Sequence, residues 1–194
     1  MNPVTSKIIF TIGIVLWLII RIPYQREQRN NTIVDDRNSA QEKLIRFLVI
    51  VGILFLPLTY VLSPWLNFAN YYLPVWANGL GGVTLAIALW LFWRVHHDLG
   101  KNWSSTLQIR EGHTLTTNGV YHKIRHPMYT SVLLLCIAQA LLLQNWIAGL
   151  AGLIGFSIAY ATRIDQEEQM LLDKFGNEYE AYRQRTKRLV PYLF

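Results

Sequence analysis

The stretch Leu44-Ile-Arg-Phe-Leu-Val-Ile-Val-Gly-Ile-Leu-Phe-Leu-Pro-Leu-Thr-Tyr-Val-Leu62 carries one charge, Arg46, in 19 residues. That matches the roughly 17–25 apolar residues a helix needs to cross a bilayer. In lipid every backbone polar group must find its partner inside the structure, which selects helix. Arg46 lies near the end of the run, where a long side chain can snorkel toward water. Four more apolar blocks flank this one: Val4 to Ile22, Leu73 to Trp93, Met128 to Leu143 and Trp146 to Ala161. The last two are shorter and separated only by Gln144 and Asn145, so they predict a tight helical hairpin that either crosses fully or dips in and returns. The expected fold is all-α: a polytopic membrane bundle of about five transmembrane helices. It forms a single domain over residues 1–194, with three spans in 1–100 and the chemically equipped half in 101–194.

Composition agrees. Charged residues make up 15% of the chain, against about 25% in soluble domains. The net charge of +6 does not point to nucleic acid, because the basic residues flank the spans instead of lining one exposed groove. Lys and Arg alternate between loops: one before the first span, six from Arg21 to Arg46, none from Ser63 to Tyr72, five from Arg94 to Arg125, none at the hairpin turn and six after Ala161. The positive-inside rule then puts the N-terminus outside and the C-terminus in the cytoplasm. Trp65, Phe68, Tyr71, Tyr72 and Trp76 form an aromatic belt on the outer side. The first block lacks a small-residue cleavage site and ends in Arg21-Ile-Pro23, so it reads as a retained span. Gly79, Gly81 and Gly82, and Gly149, Gly152 and Gly155, are expected at close helix contacts. Cys136, the single cysteine, sits in an apolar block and reads as an inert thiol. From Arg163 to Arg188 the period is helical, with Leu171, Leu172, Phe175, Tyr179 and Tyr182 on one side, predicting an amphipathic helix at the membrane surface or capping the bundle.

All five histidines fall in two cytoplasmic segments, Arg94 to Pro127 and Thr162 to Phe194, and a site must be assembled from these. No Gly-rich phosphate loop follows a strand, which excludes a soluble nucleotide-binding domain. His122 and His126 stand four apart, a spacing that can share a metal on a helix, but Pro127 disfavours helix there and no metal is expected. Arg163 and Glu167 also stand four apart where the fifth span leaves the bilayer, either as a helix salt bridge or as part of a site.

The pattern Tyr121…Arg125-His126-Pro127-x-Tyr129, then Arg163-x-x-x-Glu167-Glu168-x-x-Leu171 and Phe175-Gly176-x-x-Tyr179-x-x-Tyr182, resembles the isoprenylcysteine carboxyl methyltransferase family. The resemblance covers about Lys101 to Pro191. It implies S-adenosylmethionine as cofactor, S-adenosylhomocysteine as product and the terminal carboxylate of a prenylated cysteine as acceptor. It also implies a cofactor pocket on the cytoplasmic face, in the cell membrane of a prokaryote or the endoplasmic reticulum of a eukaryote. By resemblance, Gln108, His113, Thr114, Leu115, Thr116, Tyr121, His126, Pro127, Met128, Tyr129 and Glu167 bind the cofactor, and Arg163 binds the substrate. Arg163 and Glu167 are then the catalytic pair. Ser131 departs from the glycine usual two residues after that tyrosine, and the extra N-terminal spans of eukaryotic members are expected to be missing.

The chemistry is compatible with these roles. A carboxylate is already ionised at neutral pH, so methyl transfer to it needs positioning more than a general base, and positioning can supply about 7–11 kcal/mol. The planar fork of Arg163 suits a carboxylate and keeps its charge near lipid. Two other enzyme readings stand beside this one. A phospholipid amine N-methyltransferase would present a neutral amine, for which a cationic Arg163 is unhelpful. An NADPH-dependent membrane sterol-type reductase would need basic groups for the 2′-phosphate. A scaffold or transporter subunit would be expected to carry polar residues inside its spans, and these spans carry few.

Overall fold

The computed structural model describes residues 2–29, 32–37, 39–104 and 106–191. The described chain is mostly helical: α1 (Pro3–Arg29), α2 (Ala40–Ile50), α3 (Leu56–Leu62), α4 (Val75–Leu99), α5 (Pro127–Leu143), α6 (Ala151–Phe175) and α7 (Asn177–Arg185). Helices α2 and α3 are continuous through a π-helical turn, Val51–Phe55. Among the described residues, three helical stretches are long and apolar enough to cross a membrane: Pro3–Arg26, Ala40–Leu62 and Val75–Leu99. Helix α5 has 17 residues, or about 25 Å, against a hydrocarbon core of about 30 Å.

Helices α4 and α5 lie against each other, and α1 packs on both; α2 packs on α6. The core joins Phe10 and Ile14 of α1, Ile53 and Tyr60 of the second span, Leu85 and Ala88 of α4, and Leu135 and Cys136 of α5. The outward stripe of α1 is apolar as well, with Ile8, Ile12, Val15, Ile19 and Ile22 all exposed. A soluble protein would leave no such band uncovered, whereas lipid tails solvate it.

The structure changes several expectations. The chain is not wholly α: β1 (Ile33–Asp36) pairs antiparallel with β2 (Gln108–Arg110), tying the segment after α1 to the one after α4. The fifth apolar helix starts at Ala151 instead of Trp146, because the buried Asn145 accepts from the N–H groups of Ile147 and Ala148 and holds 146–150 in turns. The same side chain donates to the carbonyl of Leu66 and to Asn70, so the outer loop and the hairpin turn form one unit. Tyr71, expected in the outer belt, donates to the Ala140 carbonyl and packs its ring 4.9 Å from that of Trp146.

Of the α4 glycines only Gly81 sits at a packed contact, facing Leu141 and Leu142; Gly79 and Gly82 face open space. In contrast Gly155 of α6 lets the helix approach the backbone of Val49, and Gly52 lies against Ala151. The long amphipathic helix is two helices. α6 runs without interruption from the apolar block to Phe175 and stops at Gly176, whose φ of +53° is open to glycine at little cost.

Candidate functional site

The loop between α4 and α5 is ordered by its own polar groups. Asp98 accepts from the Val120 N–H at 3.0 Å and pairs with Arg94. Asn102 bonds the Thr114 backbone N–H and donates to the Thr114 and Thr116 hydroxyls. The tail then closes over this loop. Arg125 N–H donates to the Lys187 carbonyl at 2.8 Å, His126 N–H to that of Arg188 at 3.0 Å, and the Tyr182 hydroxyl to that of Tyr121 at 2.7 Å.

Glu168 is the fastener. The residue is 4% exposed, and its carboxylate meets Arg125 at 2.6 Å, Arg188 at 2.8 Å and His126 Nε2 at 3.1 Å. Burial alone would raise its pKa, but the His126, Arg188 and Arg125 contacts outweigh it and hold the carboxyl well below the usual range. One residue earlier, Glu167 accepts from the Tyr129 hydroxyl at 2.8 Å and lies 3.5 Å from His126 Nδ1. Its pKa is also lowered, since His126 and Arg163 overcome the effect of burial. The loop ahead of α5 and the cytoplasmic half of α6 therefore meet in one place.

Arg163 does not close a helix salt bridge with Glu167. It faces Glu42 of α2, 3.2 Å away. The contact comes from Arg163 Nη1 and lacks hydrogen-bond geometry, leaving Glu42 Oε1 buried without a hydrogen-bond partner; Arg163 Nε, which takes no part in the contact, is buried without one as well. Buried donors of this kind are costly unless something satisfies them.

A cavity of about 540 Å³ runs through the site. Part of its lining is apolar and comes from the helices: Trp17 and Leu18 of α1, Ile45, Val49 and Ile53 of the second span, and Phe156 of α6. The rest of the cavity is richer in polar groups. Gln108, His113, Leu115, Thr116, Tyr121, His126, Met128, Tyr129, Arg163 and Glu167 all line it. Two of the residues expected there do not. Thr114 is exposed and committed to Asn102, while Pro127 is buried and opens α5. The His113 ring packs on Phe175, 5.8 Å between centroids, and burial with Lys174 nearby lowers its pKa, favouring the neutral ring.

Sequence reasoning gave no role in the site to four charged groups. Arg21 and Arg46 line the cavity, Glu42 backs Arg163, and Glu168 locks the tail. Glu42 and Arg46 stand four apart in sequence, a spacing that places both on one helix face and could have marked them.

The chain matches the Isoprenylcysteine carboxyl methyltransferase (ICMT) family over residues 79–173. It is 34% identical over 96 residues to protein-S-isoprenylcysteine O-methyltransferase B of Arabidopsis thaliana, covering 48% of this chain and 49% of that one. It is 28% identical over 141 residues to the human protein-S-isoprenylcysteine O-methyltransferase, covering 68% of this chain and 50% of the human one. The chain thus spans about half the length of the curated relatives it matches. Its fold resembles the solved eukaryotic intramembrane Ras methyltransferase ICMT, with a TM-score of 0.53 at 23% identity, over 82% of this chain and 55% of that one. With three apolar helices of spanning length and this fold, it is an integral membrane protein. Residues 79–173, just under half of the chain, thus resemble the isoprenylcysteine carboxyl methyltransferase family.

Proposed function

We propose that the protein is an S-adenosylmethionine-dependent methyltransferase that esterifies the carboxylate of a lipid-linked acid, a prenylcysteine or a close analogue, at the cytoplasmic membrane face. The observation that carries this reading is one cavity lined both by apolar side chains of the membrane helices and by Arg163, Glu167 and the loop residues. An acceptor with a lipid tail and an acidic head needs both environments at once. We also read α5 and α6 as crossing the membrane, giving five passes with the N-terminus outside and the whole chain as one membrane domain.

The polar part of the lining fits the cofactor. Glu167 is a carboxylate fixed by Tyr129, suited to accept from amino or hydroxyl groups. Gln108, Thr116 and Tyr121 supply neutral polar groups, and Leu115 and Met128 supply apolar contact. When bound, S-adenosylmethionine supplies a methyl group on a sulfonium, ready for in-line displacement. The neutral His113 adds no positive charge that would repel it.

Arg163 holds the acceptor. One face of its guanidinium is engaged by Glu42, while Nε is a buried donor in want of an acceptor, which a substrate carboxylate provides. Glu42 also tempers the arginine, so the bound carboxylate is oriented without losing its nucleophilicity. Because the acid is already ionised, the site needs no general base and works by alignment and exclusion of water.

The test is transfer of radiolabelled methyl, in detergent, to a farnesylcysteine analogue and in parallel to an amine-headed lipid. Base-labile label on the farnesyl acid alone is the expected result. Label on the amine lipid, or on neither, would refute the assignment.

A further inference from the structure

We propose that His122, Lys123, Arg185 and Lys187 form a binding site for the phosphate of an anionic membrane phospholipid, separate from the cavity that takes acceptor and cofactor. Its depth at the membrane rests on the reading, given with the proposed function, that α5 enters the bilayer.

The four side chains and Pro191 line a second hollow of about 230 Å³, and none of the five lines the larger cavity. Their basic neighbours are answered: Arg125 and Arg188 by Glu168, Arg183 by Glu180. Among the described residues, no carboxylate lies within ion-pair distance of His122, Lys123, Arg185 or Lys187. The loop before α5 and the tail after α7 thus each send one cation to a buried acid and leave another without one. Cations gathered in one concave place raise a positive potential that an entering anion relieves.

Backbone pairing sets where these bases stand. The Arg125 N–H donates to the Lys187 carbonyl at 2.8 Å, and the Lys187 N–H to the Lys123 carbonyl at 3.4 Å. Arg185 ends α7, and the next residue, Thr186, donates its hydroxyl to the Tyr182 carbonyl at 2.7 Å. A merely solvated basic face would spread its charges along one element. Here two segments distant in the chain bring their bases to one hollow.

The occupant follows from where the hollow lies. The Thr130 hydroxyl, in the first turn of α5, donates to the Leu189 carbonyl at 2.8 Å. The tail therefore rests against the start of an apolar helix, close to the depth of lipid phosphates. Val190, beside Pro191, is 41% exposed and offers apolar contact next to the charges. Basic pockets at this depth suit anionic head groups. A zwitterionic head group fits worse, because its choline brings a positive charge toward the same four residues.

The experiment titrates dihexanoyl phosphatidylglycerol, dihexanoyl phosphatidylcholine and inorganic phosphate into the full chain in dodecyl maltoside, by calorimetry against protein-free micelles. Phosphatidylglycerol is expected to bind about tenfold tighter than either of the others, the gain of one or two charge-assisted contacts. Lys123→Gln with Lys187→Gln should bring the three within about twofold, whereas Lys123→Arg with Lys187→Arg should keep the preference. Arg26→Gln with Lys43→Gln removes as much charge from exposed positions elsewhere and should leave the preference unchanged. Hydrogen exchange across 186–190 should slow when phosphatidylglycerol binds.

Equal affinity for the two lipids in the wild type overturns the inference. So does an equal loss of preference in the Arg26 and Lys43 variant, which would reduce it to overall charge. Inorganic phosphate binding as tightly as the lipid would give the hollow to a soluble phosphate and overturn the lipid assignment. Tight lipid binding with no slowing across 186–190 would place the lipid elsewhere and overturn the site. Selective lipid binding in a protein that methylates no farnesyl acid would uphold this site and refute the methyltransferase reading alone.

Discussion

Arg163 on α6 and Glu42 on α2 meet at 3.2 Å, a buried ion pair between helices that the sequence separates by three further helices. The contact joins the proposed acceptor-binding group to the second span. Removing one member of such a pair strands the other charge in a poorly solvated place.

Arg163→Gln should therefore abolish methyl transfer and also destabilise the fold by about 3–5 kcal/mol, because Glu42 is left uncompensated. The double variant Glu42→Gln with Arg163→Gln should recover most of that stability and none of the activity. Denaturation in micelles, read beside methyl transfer, separates the two effects. Wild-type turnover in the double variant would remove Arg163 from the mechanism.

Tyr129 fixes the Glu167 carboxylate by a 2.8 Å hydrogen bond. A hydrogen bond to a charged group is worth about 1.5–3 kcal/mol, so Tyr129→Phe should weaken S-adenosylmethionine binding about 10–100-fold, and Glu167→Ala should do so more strongly. Calorimetric titration of each variant measures this. Unchanged cofactor affinity in Glu167→Ala would end the role given to that carboxylate.

His126 links folding to pH. Burial opposes its charge, but hydrogen bonds and charge interactions with Glu167 and Glu168 outweigh burial and raise its pKa above the ordinary 6.5. A pKa raised by folding adds stability that is complete below the unfolded value and disappears as pH climbs through the folded one. The unfolding midpoint should fall as pH rises from about 6.5 through that raised value, and His126→Asn should flatten the slope. A flat wild-type profile over that window would contradict the charged histidine.

Gly119 precedes the Val120 N–H that Asp98 accepts, and its φ is +57°. A Cβ there would collide with the Asp98 carboxylate. Gly119→Ala should cost about 1–3 kcal/mol and loosen the loop that carries Thr116 and Tyr121. Hydrogen exchange should show earlier opening across 112–122, with the spans unaffected. Equal protection in variant and parent would mean the loop is held by other contacts.

Much of this molecule is legible along the chain because lipid imposes one-dimensional rules. The lengths of the apolar blocks in α1, α2–α3 and α4 follow from bilayer thickness and from the need to satisfy every backbone group locally. The motif around His126 and Tyr129 and the one around Arg163 and Glu167 are short-range patterns, visible without coordinates. What the sequence could not disclose depends on distances that no spacing encodes. Glu42 opposite Arg163, Glu168 gripped by Arg125 and Arg188, and Arg21 between Trp17 and Trp103 all join segments far apart in the chain. Their pairing is decided by how helix faces pack and which buried charges find partners, a three-dimensional optimum over many competing contacts.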